Sequence, residues 1–211
     1  MAPARPSARL GALAAEASAR GIAFEPLSLD LGDRAAWPAA IQALTLAPVA
    51  GFALVAGINH DLSAPKLEEA AWDRVWDVNA GFHAQLLQAL SAPGKLAAPA
   101  SGLLVGSIVG SRGNHGQTAY AAAKGALLDL LPLAPLGLRL NVLLPPLVPS
   151  PLLAGLSPEA HARLLARRSM DDPDPAASCA LAGAFLLSDA ASYIHRQAVH
   201  ADSRVTALGW D

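Results

Sequence analysis

Short apolar runs that alternate with longer segments of helical periodicity are the feature that most restricts the fold of this chain. The clearest runs are 51–57, 103–107 and 138–144, and helical segments lie between them. Neighbouring parallel strands need a long crossover connection, which is usually a helix. The alternation therefore predicts an α/β fold in which a parallel sheet is flanked by helices.

The remaining elements follow from local periodicity and from residues that stop helices. Apolar residues at helical spacing predict helices over 7–20, 34–46, 72–90, 158–168 and 176–187. Residues 22–30 alternate like a strand, although Pro26 favours an edge position or a bulge. With 197–201 as the last strand, about five parallel strands are predicted. Pro132 and Pro135 should end the helix that precedes them.

Composition narrows the class of protein. The 211 residues, 53% hydrophobic and 15% charged, suit one domain with a sizeable core. The net charge is -2 and the basic residues are scattered, so a nucleic-acid partner is not expected. Cys179 is the single cysteine, which excludes an internal disulfide. No apolar segment reaches the roughly 18 residues of a membrane span, and no secretory leader is visible, so we expect no membrane partner and a cytoplasmic location.

Ser107, Tyr120 and Lys124 form the strongest candidate site. Ser107 ends the run 103–107, and a glycine-punctuated loop leads to a helix of small residues that carries Tyr120 and Lys124. Residues four apart on a helix share a face, so we expect the lysine ammonium near the phenol oxygen. A nearby positive charge lowers a tyrosine pKa, which suits acid–base chemistry. A hydroxyl at the end of a parallel strand lies where open α/β sheets bind ligands.

This Ser-Tyr-Lys set, with Gly110, Gly113 and Gly116 between its members, closely resembles the catalytic signature of the short-chain dehydrogenase/reductase family. The loop is most similar to the 3-oxoacyl-[acyl-carrier-protein] reductase branch. The resemblance implies a single Rossmann-like domain over 1–211 that uses NAD(P)(H) to reduce a carbonyl or oxidise an alcohol. It implies that Tyr120 transfers the proton, that Lys124 lowers its pKa and contacts the cofactor ribose, and that Ser107 orients the carbonyl.

The resemblance assigns roles to further positions. Asn79 would hold a water in the proton relay; from the residues alone, it could instead cap or kink its helix. Ala56 and Gly57 would line the cofactor site, and Ser150 would replace a threonine that contacts the nicotinamide carboxamide. Asp30 resembles an aspartate that contacts adenine, and its position beside a helix N-cap explains it equally well.

The first βαβ unit of the family has no counterpart in this sequence. The resemblance begins near Ala4-Arg5, after the Thr-Gly-x-x-x-Gly-x-Gly turn that holds the pyrophosphate at a helix N-terminus. A weakened cofactor site is therefore expected, and a misassigned start codon or a shortened chain would explain the same absence. The family's Thr-Gly turn before the last strand reads His195-Arg196, which predicts a rebuilt or strained turn.

The residues leave three functions open. The first is the NAD(P)-dependent oxidoreductase, the second is a non-catalytic subunit that pairs with a full-length relative, and the third is proton transfer beside a carbonyl without a nucleotide. The resemblance also implies a homo- or hetero-oligomer formed through helices 72–90 and 118–131, with Trp72 and Trp76 as core or interface residues. The histidines lie far apart in the sequence, so no metal site is expected.

Overall fold

A computed structural model describes residues 8–60, 64–145 and 172–202, together with the single positions 148, 162 and 166. Within these residues the α-helices are α1 (Ala8–Ala19), α2 (Trp37–Leu44), α3 (Glu69–Trp76), α4 (Phe82–Leu90), α5 (Ile108–Arg112), α6 (Thr118–Asp129) and α7 (Pro175–Leu187). The strands are β1 (Val49–Leu54), β2 (Leu96–Val105), β3 (Leu138–Leu144) and β4 (Ala198–His200). Short 3-10 turns lie at Arg34–Ala36, Ala64–Lys66, Leu131–Leu133 and Asp189–Ala191.

The sheet is parallel throughout, in the order β1-β2-β3-β4. Leu54, Leu104, Val142 and Ala198 lie in one row across the four strands. All four strands therefore present their carboxyl ends at the same edge of the sheet. The predicted α/β class, with a parallel sheet flanked by helices, is confirmed.

The strand predicted over 22–30 is not formed, so the described residues hold four strands instead of about five. This segment joins no ladder, and β1 is an edge strand of the sheet. Ile22, Phe24 and Leu27 stay exposed. Alternation in sequence predicts a strand only where a neighbour accepts its hydrogen bonds, and Pro26 has no N–H to donate.

Helices cover the two faces of the sheet unequally. The main core joins α3, α6 and the strands through buried side chains that include Val75, Leu104, Leu127 and Leu140. On the opposite face, Leu186 of α7 packs against Leu103 and Leu143. These strands read as nearly continuous apolar runs because both of their faces are buried.

A second cluster fixes the N-terminal part of the chain to α4. Trp37 is buried against Phe82 with ring centroids 5.8 Å apart in an edge-to-face arrangement. Its indole N–H donates to the Leu31 carbonyl oxygen at 3.0 Å. The residues just after 22–30 are therefore held by side-chain packing and the Trp37 hydrogen bond, and not by pairing with a strand.

The predicted helix 72–90 is observed as α3 and α4 joined by a π-helical turn, Asp77–Gly81. The Phe82 N–H bonds to the Asp77 carbonyl oxygen, five residues back, which widens the helix by one residue at this turn. Arg34 Nε donates to both carboxylate oxygens of Asp77 at 2.7 Å and so ties the beginning of the turn to the segment before α2. Asn79 lies at the centre of the turn.

The helix that carries Tyr120 and Lys124 ends at Asp129, and Pro132 lies in the 3-10 turn that follows, as the prolines predict. Most of the predicted helix 158–168, and also Ser150, lie outside the described residues. Of the helices in the described ranges, none combines the length and apolar character that a membrane crossing needs.

The turn before β4 is held by a buried side chain in β3. Asn141 Nδ2 donates to the Ile194 carbonyl oxygen at 2.8 Å, and its Oδ1 accepts from the Gln197 N–H at 3.0 Å. Between these contacts, Arg196 adopts a φ of 57°, the left-handed region that glycine occupies more easily. The turn expected to be strained at His195-Arg196 is therefore observed with a positive φ at Arg196.

Replacing Arg196 by glycine should stabilise the protein by about 0.5–1 kcal/mol relative to Arg196→Ala, because glycine has no Cβ to clash in this conformation. Both variants lose the 3.4 Å hydrogen bond from the guanidinium to the Ala134 carbonyl oxygen, so the comparison isolates the backbone effect. Urea unfolding followed by circular dichroism measures the difference. An alanine variant at least as stable as the glycine variant would show that the turn is unstrained.

Candidate functional site

The candidate site lies at the carboxyl ends of β1 and β2. β1 leads into Ala56 and Gly57, β2 leads into Ser107, and α6 passes beside them with Tyr120 and Lys124 buried. In open parallel sheets this edge is where ligands bind, because the connecting loops diverge there.

Lys124 is the most unusual residue of the site, because its side chain is only 3% exposed. Its Nζ donates to the carbonyl oxygen of Val105, the last residue of β2, at 2.8 Å. Burial lowers the pKa of this ammonium to about 8, since a low-dielectric surrounding disfavours the charged form. At neutral pH the group is still mostly protonated, and it presents its charge inside the protein.

Asn79 meets Lys124 at Gly57. A methyl group placed on Gly57 would come within 2.8 Å of Asn79 Oδ1 and 3.3 Å of Lys124 Nζ, so both side chains approach the backbone where only glycine fits. Asn79 is fully buried, and its Nδ2 donates to the carbonyl oxygens of Ile58 at 2.9 Å and Val75 at 2.7 Å. The amide thereby links the wide turn before α4 to the loop after β1.

Ser107 is brought beside α6 by an unusually close approach of two helices. It caps α5, and its Oγ accepts from the Val109 N–H at 3.2 Å. One turn later, a methyl group on Gly110 would come within 2.6 Å of the Lys124 carbonyl carbon. The backbones of α5 and α6 are therefore in contact, and this contact fixes both ends of the loop between Ser107 and Tyr120.

The structure brings Gly57, Asn79 and Lys124 into direct proximity and places Ser107 and Tyr120 on the two helices that meet at Gly110. Ala56 lies in the exposed loop just before Gly57. Asn79 lies beside Lys124, where a residue of the proton relay would lie. It also lies within the π-helical turn, where a residue that distorts its helix would lie.

Asp30 lies apart from this group of residues. It is exposed, and its Oδ1 accepts from the Gly32 N–H at 2.8 Å. This hydrogen bond, together with the nearby Arg74 guanidinium, lowers the pKa of the Asp30 carboxyl. The neighbouring Asp33, and not Asp30, caps the following turn by accepting from the Ala35 N–H at 3.1 Å.

His83 is a part of the site that the sequence did not reveal. It lies in α4, one turn after Asn79, and only 1% of it is exposed. Burial, with the Lys124 charge as a second cause, lowers the pKa of its imidazole to about 4. Its position four residues after Asn79 on a predicted helix was the available signal, but a single histidine on an apolar face is usually part of the core.

Metal ligands do not converge in the described parts of the chain: no group of three His, Cys, Asp or Glu side chains there could hold an ion. The buried charged side chain of the candidate site is Lys124. Acid–base chemistry beside an oriented hydroxyl is what these side chains can supply.

Comparison with known families matches residues 3–206 to a short-chain dehydrogenase model described as enoyl-(acyl carrier protein) reductase. Over 150 residues the chain is 30% identical to the 3-oxoacyl-[acyl-carrier-protein] reductase FabG of Salmonella typhimurium, covering 69% of this chain and 62% of that protein. Over 168 residues it is 32% identical to cis-4-hydroxycyclohexanecarboxylate dehydrogenase of Sinomonas cyclohexanicum, covering 71% and 64%. The chain thus spans a little under two thirds of these relatives.

Solved structures agree with the fold. A putative NAD(P)-dependent gluconate 5-dehydrogenase from Beutenbergia cavernae, with bound NADP at low occupancy, superposes with a TM-score of 0.82 at 27% identity, covering 93% of this chain and 82% of that one. A short-chain dehydrogenase family protein from Francisella tularensis gives a TM-score of 0.77 at 21% identity, covering 89% and 85%. The second likeness is evidence of the fold alone.

Acidification should destabilise the protein through His83. The unfolded imidazole titrates near 6.5 and the folded one near 4, so the unfolded state binds the extra proton and stability falls as the pH drops from 6.5 to 4. The full effect is at most about 3 kcal/mol. Urea unfolding at pH 7 and at pH 4.5 should show a smaller loss in His83→Leu than in the native chain. Equal losses in the two proteins would show that His83 is protonated in the folded state.

Proposed function

Because the chain belongs to the short-chain dehydrogenase/reductase family, close to its 3-oxoacyl-[acyl-carrier-protein] reductases, we propose that it interconverts a carbonyl and an alcohol with NAD(P)(H) at Ser107, Tyr120 and Lys124. The observation that carries the proposal is the buried Lys124 ammonium, one helical turn from Tyr120 and beside the loop after β1. A buried charged group whose pKa is shifted by desolvation is typical of functional sites.

Tyr120 is the proton donor in the reductive direction. Its phenol gives a proton to the carbonyl oxygen as the carbonyl carbon is reduced, and the phenolate that remains lies one turn from a positive charge. That charge stabilises the phenolate and so lowers the barrier to proton transfer. In the oxidative direction, the phenolate takes the proton back from the alcohol.

Ser107 and Lys124 have separate roles beside Tyr120. The Ser107 hydroxyl accepts a backbone N–H through its oxygen and keeps its own proton available for the substrate oxygen. Lys124 is anchored through Val105, which leaves further N–H donors of its ammonium for ligand hydroxyls. Because the pKa of Lys124 is about 8, the positive charge that it presents to Tyr120 is lost as the pH rises through the slightly alkaline range.

The reacting end of a nicotinamide cofactor fits these residues. Gly57 has no side chain at the point where Asn79 and Lys124 approach its backbone. The loop after β1 therefore lies close to the Lys124 ammonium. When bound, the cofactor supplies or accepts the hydride. Gly57 and Lys124 would hold its ribose, with Ala56 nearby, and Asp30, whose Oδ1 accepts from the Gly32 N–H, stays a predicted contact of the adenine.

The substrate is a small carbonyl compound or the corresponding alcohol. The FabG relatives are named for 3-oxoacyl groups on acyl-carrier protein, and the Sinomonas relative for a hydroxylated cyclohexanecarboxylate. Both names describe a carbonyl or hydroxyl a few bonds from a carboxyl-type carbon. A 3-oxoacyl thioester is therefore the first substrate to test.

Replacing Tyr120 by phenylalanine should lower kcat for NADPH- or NADH-dependent reduction of a 3-oxoacyl thioester by at least about 100-fold, because the general acid is lost. Tyr193→Phe, the same change at an exposed tyrosine, is the matched control and should keep full activity. Absorbance of the reduced nicotinamide measures turnover, and calorimetry measures cofactor binding separately. Absence of binding at millimolar NADH and NADPH would contradict the proposal, as would equal rates in the two variants.

We also propose that the chain forms a homodimer through α3, α4 and α6. Trp72 and Trp76 stack with ring centroids 6.5 Å apart and remain only half-buried, which is what a helix face at an interface requires. Ala122 is exposed on α6 and offers a small contact surface.

Arginine at position 122 should convert the dimer to a monomer, because a long charged side chain would be forced into the contact. Ala15→Arg on the exposed side of α1 is the matched control and should leave the mass unchanged. Sedimentation equilibrium reports the mass of each variant. A native chain that is monomeric at high micromolar concentration would rule out this interface.

A further inference from the structure

His83 has no partner that explains its presence in the core. Both of its ring nitrogens are buried, and neither has a hydrogen-bond partner among the described residues. Its neighbours Phe82, Leu86 and Leu87 on α4 are also buried. A leucine there would fill a similar space with no polar atom to satisfy.

The cost of such an arrangement is large enough to require an explanation. A buried polar atom without a partner destabilises the folded state, and a neutral imidazole has one donor and one acceptor to satisfy. Buried polar groups that lack a protein partner are commonly bonded to an enclosed water.

Asn79 offers a second unsatisfied atom on the same side of the helix. Its Oδ1 is buried without a partner among the described residues, although its Nδ2 makes two good hydrogen bonds. Residues 79 and 83 are four apart, and the π-helical turn between them brings such positions almost into line. The two residues therefore share one face of this helix.

Lys124 completes the set from the facing helix. Its Nζ lies 3.3 Å from the position of a Gly57 methyl group, beside Asn79 Oδ1, and its charge acts on His83. The ammonium has three donors, of which one is bonded to Val105. Of the charged groups in the described ranges, Lys124 alone lowers the His83 pKa. Tyr120 lies on α6 with Lys124. The Asp77 carboxylate is paired with Arg34.

We propose that His83 is a positioning residue of the Tyr120–Lys124 site, which holds an enclosed water against Asn79 Oδ1 and the Lys124 ammonium. The water supplies the acceptor that the buried ammonium lacks and joins it to the imidazole. Neutral His83 therefore favours the protonated form of Lys124 at this depth. The consequence for catalysis rests on the proposed function, but the water and its effect on Lys124 do not.

The proton equilibrium of Lys124 tests this role in the protein without cofactor or substrate. With lysine labelled at 13Cε, the chain gives three signals, from Lys66, Lys95 and Lys124, and Lys124→Met identifies the third. In the native chain Lys124 should titrate near 8. In His83→Leu the protonation constant of Lys124 should fall about tenfold or more, because the water is lost and the ammonium is further desolvated.

His83→Gln is the rescue variant, since its amide supplies a donor and an acceptor and should restore most of the Lys124 titration. His60→Leu, at an exposed histidine, is the control and should change nothing. If Lys124 titrates identically in the native and His83→Leu proteins, or if the glutamine variant behaves like leucine, the positioning role is wrong.

A measurement on the native chain covers the case in which the leucine variant does not fold. The 15N shifts of the His83 ring should show both nitrogens hydrogen-bonded, with magnetisation transfer from a slowly exchanging water. Bare nitrogens without that transfer would overturn the proposal. Where turnover is detected, His83→Leu should also shift the pH–rate profile. An unshifted profile would show that His83 has no role in catalysis, even if the Lys124 titration is shifted.

Discussion

The burial of one positive charge is the constraint on which the site depends. Lys124 is held between the end of β2, through the Val105 carbonyl oxygen, and the loop after β1, through the space that Gly57 leaves open. An ammonium in this position is tolerated only where its donors find oxygens or water. The surrounding chain is arranged accordingly: a glycine in the loop and a buried asparagine on the facing helix each accommodate the ammonium.

Two irregular features of the helices make this arrangement possible. The π-helical turn Asp77–Gly81 turns Asn79 toward the loop after β1, and Arg34 fixes the start of that turn through Asp77. The close contact of α5 with α6 at Gly110 leaves no room for a side chain between them. The π-helical turn loses a regular helical hydrogen bond, and the contact at Gly110 loses the packing of a side chain. Both features place polar side chains at one edge of the sheet.

Sequence reasoning went furthest where the determining pattern is local. The bounds of β3 and the end of α6 follow from an apolar run and from Pro132, and the structure has both where expected. It failed at 22–30, because strand formation depends on a neighbour that the local pattern does not contain. It also did not identify His83, because an isolated histidine in an apolar face becomes notable only once Lys124 is known to lie beside it.

By itself, the sequence determined the α/β class and the order of most elements, and it singled out Ser107, Tyr120 and Lys124 as candidate site residues, because periodicity, helix-stopping residues and motif spacing are short-range properties. Only the tertiary structure decided which polar groups share one buried space and how far Lys124 is desolvated. It also decided that the segment before α2 is held by packing around Trp37 and not by pairing with a strand. These outcomes depend on contacts between residues tens of positions apart, and on solvent exclusion, which no local pattern encodes.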